Sequence, residues 1–364
     1  MRISSRATGA LYYIAVSALW APVVAQKTTE SAFSPVEMVV SANHLATDAG
    51  KRILEMGGTV VDAMIAVQTV LGLVEPQSSG IAGGAFCVLL YNGTLTTFDA
   101  REKAPSGATE TRFQDENGES YGFEDMWQSA LSVGVPGVPR LMGDLHAKYG
   151  MVEWAELFED AKDLATNGYE QTGRTVEDAT ELFELNPSCE DRLFFRDDVT
   201  FEYFFDTETC EPKPEGTIMV NMDYADTMDL LATGGADAFY TGPVAEDIIA
   251  KVESDRNPTG DPLITLEDLA NYNIVERPAV CMTYRDMYDV CGMGPPSSGA
   301  LAVGQILGIL NSFDLARNGD RQSVETVHLF TQAMRLAFAD RNLYVGDPDF
   351  ITVPVEYVSL WKSC

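Results

Sequence analysis

Hydrophobic and polar positions follow clear periodicities in the first part of the chain. The stretch LATDAGKRILEM, residues 45–56, has apolar residues at helical spacing and is followed by Gly57-Gly58, which predicts an amphipathic helix that ends there. The next stretch, VVDAMIAVQTVLGL at residues 60–73, is apolar on almost every side. Helices of this kind are buried, so we expect the second helix inside the core.

A β-hairpin is predicted soon after these helices. AFCVLLY, residues 85–91, is a short apolar run, Asn92-Gly93 is a two-residue turn signal, and TLTTFD follows at residues 94–99. Between helix and hairpin lies the glycine-rich stretch VEPQSSGIAGGAF, residues 74–86. Two buried helices that lead into a buried hairpin indicate helices stacked on a sheet.

The remaining pattern predicts more helices than strands. Residues 108–127 and 186–216 are polar and acidic and are expected to be a surface loop and an irregular excursion. Thr265, with Asp268 three residues later, is a capping signal for a helix start. Helices are predicted at residues 140–148, 151–167, within 222–254 (two, joined by a glycine-rich turn), after residue 298 and at 324–342. The last helix carries one apolar stripe, formed by Val327, Phe330, Met334 and Phe338.

The charge of the chain excludes some partners. Its 364 residues carry a net charge of −31, while 46% are hydrophobic and 22% charged, which is compatible with one large domain or two. So negative a surface repels nucleic acid and anionic lipid. We interpret the charge as favouring solubility, with an acidic recognition surface as the alternative.

The N-terminus resembles a secretory leader. Arg2 and Arg6 precede an uncharged run, and Val23 and Ala25 are small residues placed as a cleavage site requires. We therefore expect a signal peptide at residues 1–25, a mature region at 26–364 and a secreted or cell-surface protein. The alternative is an uncleaved anchor, the one case in which we expect membrane attachment.

Secretion permits disulfides and glycosylation. Cys281 and Cys291 flank TYRDMYD, which predicts a hairpin that brings them opposite each other, and Cys189–Cys210 is a second candidate pair. Asn92-Gly93-Thr94 is a glycosylation sequon.

The usual cofactor motifs are missing from the sequence. It contains neither GxxxxGK[ST] nor GxGxxG, and glycines 80, 83 and 84 follow a helix and precede a strand, the reverse of a phosphate-binding turn. The three histidines, His44, His146 and His328, lack metal-ligand spacing. We therefore predict no cofactor and no metal site.

One cation follows the predicted hairpin. Arg101 lies at the end of the second strand, where a guanidinium can grip a substrate carboxylate with two parallel hydrogen bonds. The alternative from spacing alone is a structural salt bridge with Asp99 or Glu102.

Taken together, several stretches resemble the gamma-glutamyltransferase family, also known as gamma-glutamyl transpeptidases or glutathione hydrolases. The matching stretches occur in the family's order and cover most of residues 35–355. They are AGKRILEMGGTVVDAMIAVQTVLGLVEPQSSGIAGGAF, DAREKAP, GVPGVPRL, KYGMVEW, GGADAFYTG, LITLEDLANY, GPPSSGALA and AMRLAFADRNLYVGDPDF.

The resemblance implies an α+β fold, the four-layer αββα N-terminal-nucleophile hydrolase, made as a precursor that cuts itself into two subunits. It implies transfer or hydrolysis of the gamma-glutamyl group of glutathione by a threonine that begins the small subunit. It also implies that Arg101, in DAREKAP, holds the α-carboxylate of that group. This reverses the preference for a structural salt bridge.

The sequence departs from the family pattern in several places. Thr59-Val60 and Ala82 replace common family residues, and SDRNPTGDP replaces a glycine pair. No threonine-started run of the small subunit occurs, since Thr326-Val327-His328 lies inside a predicted helix. We therefore expect a large-subunit portion with no catalytic residue of its own and an incomplete fold. The alternatives are a non-catalytic family member that binds gamma-glutamyl ligands or a partner chain, and a related acylase.

Overall fold

The computed structural model describes residues 34, 36–127, 129–185, 197–315 and 323–356. It contains two compact units, Met1–Met38 and Val39–Cys364, and the fold described below is that of the second. The predicted leader at residues 1–25 lies outside the described residues.

The first two helices pack closely on each other. Helix α1 is His44–Glu55 and helix α2 is Val60–Val74. Thr59 caps α2 through a capping box with Asp62, which explains why the helix starts there. Most residues of α2 are buried, but one stripe that includes Val60, Met64 and Leu71 is not, although the apolar pattern predicts burial on almost every side.

A three-stranded antiparallel sheet follows. The short helix α3 is Pro76–Ser79, and strands β1 (Ala85–Tyr91) and β2 (Thr94–Ala100) form the predicted hairpin. Asn92 and Gly93 both have positive φ, as a tight two-residue turn requires. A third strand, β5 (Val275–Arg277), pairs with the other edge of β2.

Helices fill most of the middle of the chain. In order, the elements are α4 (Phe123–Trp127), α5 (Val138–Tyr149), α6 (Glu159–Asn167), β3 (Tyr169–Glu170), α7 (Gly173–Leu185), α8 (Asp198–Phe204), β4 (Ile218–Met219), α9 (Met222–Gly234), α10 (Asp237–Tyr240), α11 (Pro243–Ser254) and α12 (Leu266–Ala270). Short 3-10 helices lie at Ala130–Ser132 and Trp154–Phe158. The capping box of Thr265 and Asp268 is formed at α12.

The last part of the chain adds a hairpin and two helices. Strands β6 (Val280–Tyr284) and β7 (Tyr288–Gly292) pair antiparallel, and helices α13 (Gly299–Leu310) and α14 (Val324–Tyr344) pack on each other. One main hydrophobic core joins α1, α2, α5, α6, α9 and the first sheet, and α13 and α14 share a separate small cluster.

The structure differs from the sequence expectations in four segments. Residues 151–167, predicted as one helix, form a 3-10 helix at Trp154–Phe158 and then α6. Residues 108–127 end in α4, and residues 197–216, expected to be irregular, contain α8. The region predicted as two helices within 222–254 has three, because α10 occupies the predicted turn. Local propensity underestimated these short helices because tertiary packing decides them: Phe201 of α8 and Phe239 of α10 are buried.

The apolar faces of α14 and β1 are also less buried than their patterns imply. The stripe of α14 is exposed, and this helix packs on α13 through Ala333 and Ala337 instead. On β1, Phe86, Val88 and Leu90 are 38%, 48% and 67% exposed. Within the described residues, no helix is long and apolar enough to cross a membrane.

Asp62 generates a stability prediction, because its carboxylate joins two segments. It is fully buried, and its Oδ2 accepts hydrogen bonds from the backbone N–H groups of Thr59 at 2.8 Å and Met151 at 3.0 Å. Replacing Asp62 with Ala leaves these donors unpaired and is expected to lower the free energy of unfolding by about 2–3 kcal/mol. Urea unfolding measures the change.

Two control variants sharpen this test. Asp62→Asn retains an acceptor oxygen and is expected to lose less stability than Asp62→Ala. Asp48→Ala, at an exposed position of α1, is expected to change the free energy by less than about 0.5 kcal/mol. Equal stability of Asp62→Ala and the parent chain would contradict the role given to this carboxylate.

Candidate functional site

Arg101 leaves the end of β2 with its backbone held on both sides. Its N–H donates to Asp99 Oδ1 at 3.1 Å, and its carbonyl accepts a hydrogen bond from the Tyr272 hydroxyl at 2.8 Å. Burial raises the pKa of Tyr272, which keeps the hydroxyl protonated as a donor. The Arg101 side chain itself is exposed. A fixed backbone therefore presents a solvent-facing guanidinium.

The two structural partners considered for this guanidinium do not hold it. Asp99 is buried and its Oδ2 accepts a hydrogen bond from Arg277 Nε at 2.9 Å. Neither Asp99 nor Glu102 forms an ion pair with the Arg101 side chain, and no other carboxylate does so within the described ranges. The structure thus leaves Arg101 available, while a different arginine takes the salt bridge.

Arg277 is itself fixed by a second carboxylate. Its Nη1 and Nη2 donate to the two oxygens of Asp349 at 3.0 and 2.9 Å, a bidentate fork. The hydrogen bond from Arg277 holds the pKa of the Asp349 carboxyl below its usual range. Asp349, Arg277 and Asp99 therefore form a continuous network of ion pairs, which is hydrogen-bonded to the Arg101 backbone.

Glycines from two segments pack against the backbone around Arg101. A Cβ on Gly84 would lie 2.8 Å from the backbone nitrogen of Glu102. A Cβ on Gly137 would overlap the Ala100 carbonyl oxygen and the Tyr272 hydroxyl. Close approach of backbone to backbone, rather than a phosphate cradle, is therefore what these glycines permit.

Backbone hydrogen bonds tie the two glycine segments to each other and to the strand end. The carbonyl of Gly83 accepts from the N–H groups of Gly137 at 2.9 Å and Val138 at 3.1 Å. Lys103 and Val135 exchange two backbone hydrogen bonds, at 3.2 and 2.7 Å. Three stretches thus form one rigid support for Arg101, although two of them are distant from the third in sequence: VEPQSSGIAGGAF, DAREKAP and GVPGVPRL.

Two cavities of the described structure lie beside this support. A cavity of about 720 Å³ is bordered by α2, α8 and α9, and Gly80, Ile81 and Ala82 line one side of it. A smaller one of about 240 Å³ includes Lys103 and Tyr272. Arg101 lines neither, so its guanidinium faces open solvent rather than an enclosed pocket.

The other predicted site residues are scattered. Asn92 is exposed at the hairpin turn of β1 and β2, and its glycosylation stays a prediction. Cys281 and Cys291 are cross-strand neighbours joined by a disulfide. Cys210 is disulfide-bonded, but Cys189 lies outside the described residues, so that pairing stays a prediction.

The histidines have local roles. His44 and His328 are exposed, and His146 Nε2 lies 2.8 Å from the Val152 carbonyl oxygen and its ring packs on Trp154. Where the structure describes the chain, no group of three or more His, Cys, Asp or Glu side chains is arranged to hold a metal ion.

Sequence reasoning did not assign Tyr272, Arg277 or Gly137 to this site. Tyr272 lies in LANYN and Gly137 in GVPGVPRL, two stretches with an evident motif but no evident role. Arg277 lies in a three-residue strand too short for a periodic signal, and its pairing with β2 spans a long sequence separation.

Comparison with known proteins gives a consistent family. A family model described as gamma-glutamyltranspeptidase matches residues 46–361. The glutathione hydrolase proenzymes of Escherichia coli and Bacillus subtilis are 34% and 33% identical to the chain, over 94% and 88% of it. They are covered over 57% and 52% of their own length, so the chain spans about half of these curated relatives.

Solved structures and one further relative extend the comparison. The gamma-glutamyltranspeptidase of Helicobacter pylori superposes with a TM-score of 0.81 at 34% identity, over 91% of this chain and 90% of that one. An acylase ACY 1 proenzyme from a Pseudomonas strain is 31% identical over 87% of the chain and 55% of its own length.

The glycine support generates a second prediction. Gly137→Ala adds a methyl group against backbone atoms that cannot move freely, and we expect a loss of about 3 kcal/mol in the free energy of unfolding. Gly80→Ala is the matched control, because Gly80 has an ordinary φ of −60° and its added Cβ would meet nothing closer than 3.8 Å. Thermal unfolding of both variants tests the difference, and equal melting temperatures would contradict it.

Proposed function

The chain belongs to the gamma-glutamyltranspeptidase family, and on that premise we propose that it is the substrate-gripping part of an enzyme that transfers or hydrolyses gamma-glutamyl groups. Its α+β fold is that of the family's N-terminal-nucleophile hydrolases. The proposed substrates are glutathione and other gamma-glutamyl amides. The proposed nucleophile is a threonine that begins a small subunit encoded beyond this chain.

The observation that carries the proposal is the guanidinium of Arg101, which forms no ion pair with any carboxylate of the described residues. It projects from a strand end whose backbone is fixed by Asp99 and Tyr272, and the buried carboxylate of Asp99 is already bound to Arg277. A guanidinium in this condition can bind a carboxylate with two parallel hydrogen bonds without first breaking a protein salt bridge. In a gamma-glutamyl substrate, the α-carboxylate is the group that it would bind.

The apolar faces left exposed support a partner segment. Strand β1 pairs with β2 alone in the described sheet, and its outward residues Phe86, Val88 and Leu90 border an apolar groove of about 520 Å³ between α2, β1 and α5. Exposed strand edges and apolar patches of this kind mark interaction surfaces. We assign this face to the small subunit of the same precursor, since the matched relatives are named proenzymes and extend well beyond the match.

We further propose that the protein enters the secretory pathway. Residues 1–25 have the pattern of a signal peptide, and the exposed Asn92 sequon is accessible to glycosylation. Disulfide-bonded Cys281 and Cys291 fit an oxidising compartment.

A second candidate has one specific observation in its favour. The similarity to an acylase proenzyme leaves open a related acyl-transfer reaction on a different acyl group. An acyl group without an α-carboxylate would need no such contact, so dependence on Arg101 separates the gamma-glutamyl reaction from transfer of an acyl group of that kind. A non-catalytic member is the third candidate, and sequencing the transcript beyond Cys364 tests it directly, since it requires that no threonine-started segment follows.

Arg101→Lys tests the proposed activity. A lysine retains the charge but loses the planar fork, so we expect the KM for a chromogenic gamma-glutamyl anilide to rise about tenfold or more with a smaller change in kcat. The assay uses this chain produced with its threonine-started segment, and the 364-residue chain alone is the blank, expected to release no product. An unchanged KM would refute the role of Arg101.

The exposed face of β1 generates a further prediction. Residues 26–364 expressed alone are expected to self-associate through this face, and Val88→Lys is expected to reduce association by placing a charge on the strand. Met151→Lys is the matched control, because Met151 is a highly exposed apolar residue outside this face. Sedimentation velocity measures the species present, and a monodisperse monomer of the parent chain that melts cooperatively would count against the assignment.

A further inference from the structure

Arg277 lies where three segments meet. It ends β5, opposite Thr97 of β2, and its carbonyl accepts a hydrogen bond from the Thr97 hydroxyl at 2.7 Å. Its guanidinium is largely buried, with the side chain 13% exposed, and donates from Nε to Asp99 and from both terminal nitrogens to Asp349. Its position is therefore fixed by backbone pairing at one end and by two carboxylates at the other.

This arrangement occupies both oxygens of Asp99. Oδ1 accepts from the Arg101 N–H, and Oδ2 accepts from Arg277. Asp99 lies two residues before Arg101 on the same strand run, so it is a local carboxylate that an exposed guanidinium at position 101 can reach. With Arg277 absent, Asp99 would lose its charged partner, and a partly buried carboxylate without a counter-charge attracts the nearest cation.

We propose that Arg277 is a positioning residue that keeps Asp99 from capturing the side chain of Arg101. Arg277 neutralises and occupies the competing carboxylate, and the guanidinium of Arg101 therefore stays free for an external carboxylate. The inference rests on the proposed function. It explains how the Arg101 guanidinium remains available to bind a substrate carboxylate, not which substrate it binds.

Asp349 has a separate part in this arrangement. It forms the other half of the fork on Arg277 and is about half exposed. Removing its charge weakens the hold on the terminal nitrogens of Arg277 but leaves the bond from Nε to Asp99. Asp349→Asn is therefore a matched control that perturbs the same ion-pair network but keeps Asp99 bound to Arg277.

The experiment measures how fast phenylglyoxal modifies each arginine of the chain produced with its threonine-started segment, by peptide mass spectrometry. The exposed Arg256 serves as the internal reference, and the buried Arg112 reports whether a variant is folded. In Arg277→Gln, pairing with Asp99 is expected to slow modification of Arg101 by roughly two- to fivefold relative to Arg256. Adding Asp99→Asn to this variant is expected to restore the rate, and Asp349→Asn is expected to leave it unchanged.

Two outcomes overturn the proposal. One is an Arg101 rate in folded Arg277→Gln that equals or exceeds that of the parent chain. The other is a faster modification of Arg101 in the single variant Asp99→Asn. This variant remains informative if modification of Arg112 shows that Arg277→Gln is unfolded. Asp99 does not bind the side chain of Arg101 in the parent chain, so this variant is expected to leave the modification rate of Arg101 unchanged. A marked rise in that rate would show that the two side chains are already paired.

Added glutathione separates this inference from the proposed function. Protection of Arg101 by glutathione in the parent chain supports the substrate grip, and absence of protection contradicts that grip. The dependence of the Arg101 modification rate on Arg277 and Asp99 is measured without ligand. The positioning role of Arg277 and the protection by glutathione can therefore fail independently of each other.

Discussion

The hydrogen-bonded carboxylate of Asp99 is the interaction on which the proposed substrate-binding end of this chain depends. It fixes the backbone of Arg101 through one oxygen and is itself held by Arg277 through the other. Because an arginine from a different strand takes the salt bridge, Arg101 is left with a fixed backbone and a side chain that pairs with no carboxylate in the described part of the chain. Rigid support with a free functional group is what a binding residue requires.

The support beneath this residue is made of backbone rather than side chains. Gly84 and Gly137 allow two distant segments to approach the end of β2 so closely that a methyl group would not fit. Beside this support, β1 presents apolar residues without a covering layer among the described elements, and Phe86 lies on the same face of the hairpin as its cross-strand partner Asp99. The two neighbouring regions have separate roles in the proposed function: one orients a substrate carboxylate, and the other receives the segment that supplies the chemistry.

Much of the fold could be predicted from the sequence, since local patterns determine it. Residues 85–91 and Asn92-Gly93 predict the first hairpin correctly, and Thr265 caps α12 as its spacing from Asp268 predicts. Strand β5 and helices α8 and α10 were missed because each is short and owes its stability to long-range packing. For the candidate site, DAREKAP singles out Arg101 by resemblance, and its role stays a prediction. That Arg277 and not Arg101 pairs with Asp99 depends on a hydrogen bond between residues 178 positions apart, which local patterns do not reveal.

The most direct test of Arg101 as the residue that binds the substrate carboxylate compares two ligands that differ in one group. The affinity of the chain for a gamma-glutamyl amino acid is measured beside that for the same compound with its α-carboxylate converted to an amide, in the parent chain and in Arg101→Gln. The account predicts that the parent chain prefers the carboxylate by about tenfold, as expected for a charge-assisted bidentate contact, and that Arg101→Gln abolishes the preference. Equal discrimination by both chains would contradict the claim that the free guanidinium of Arg101 is the substrate grip.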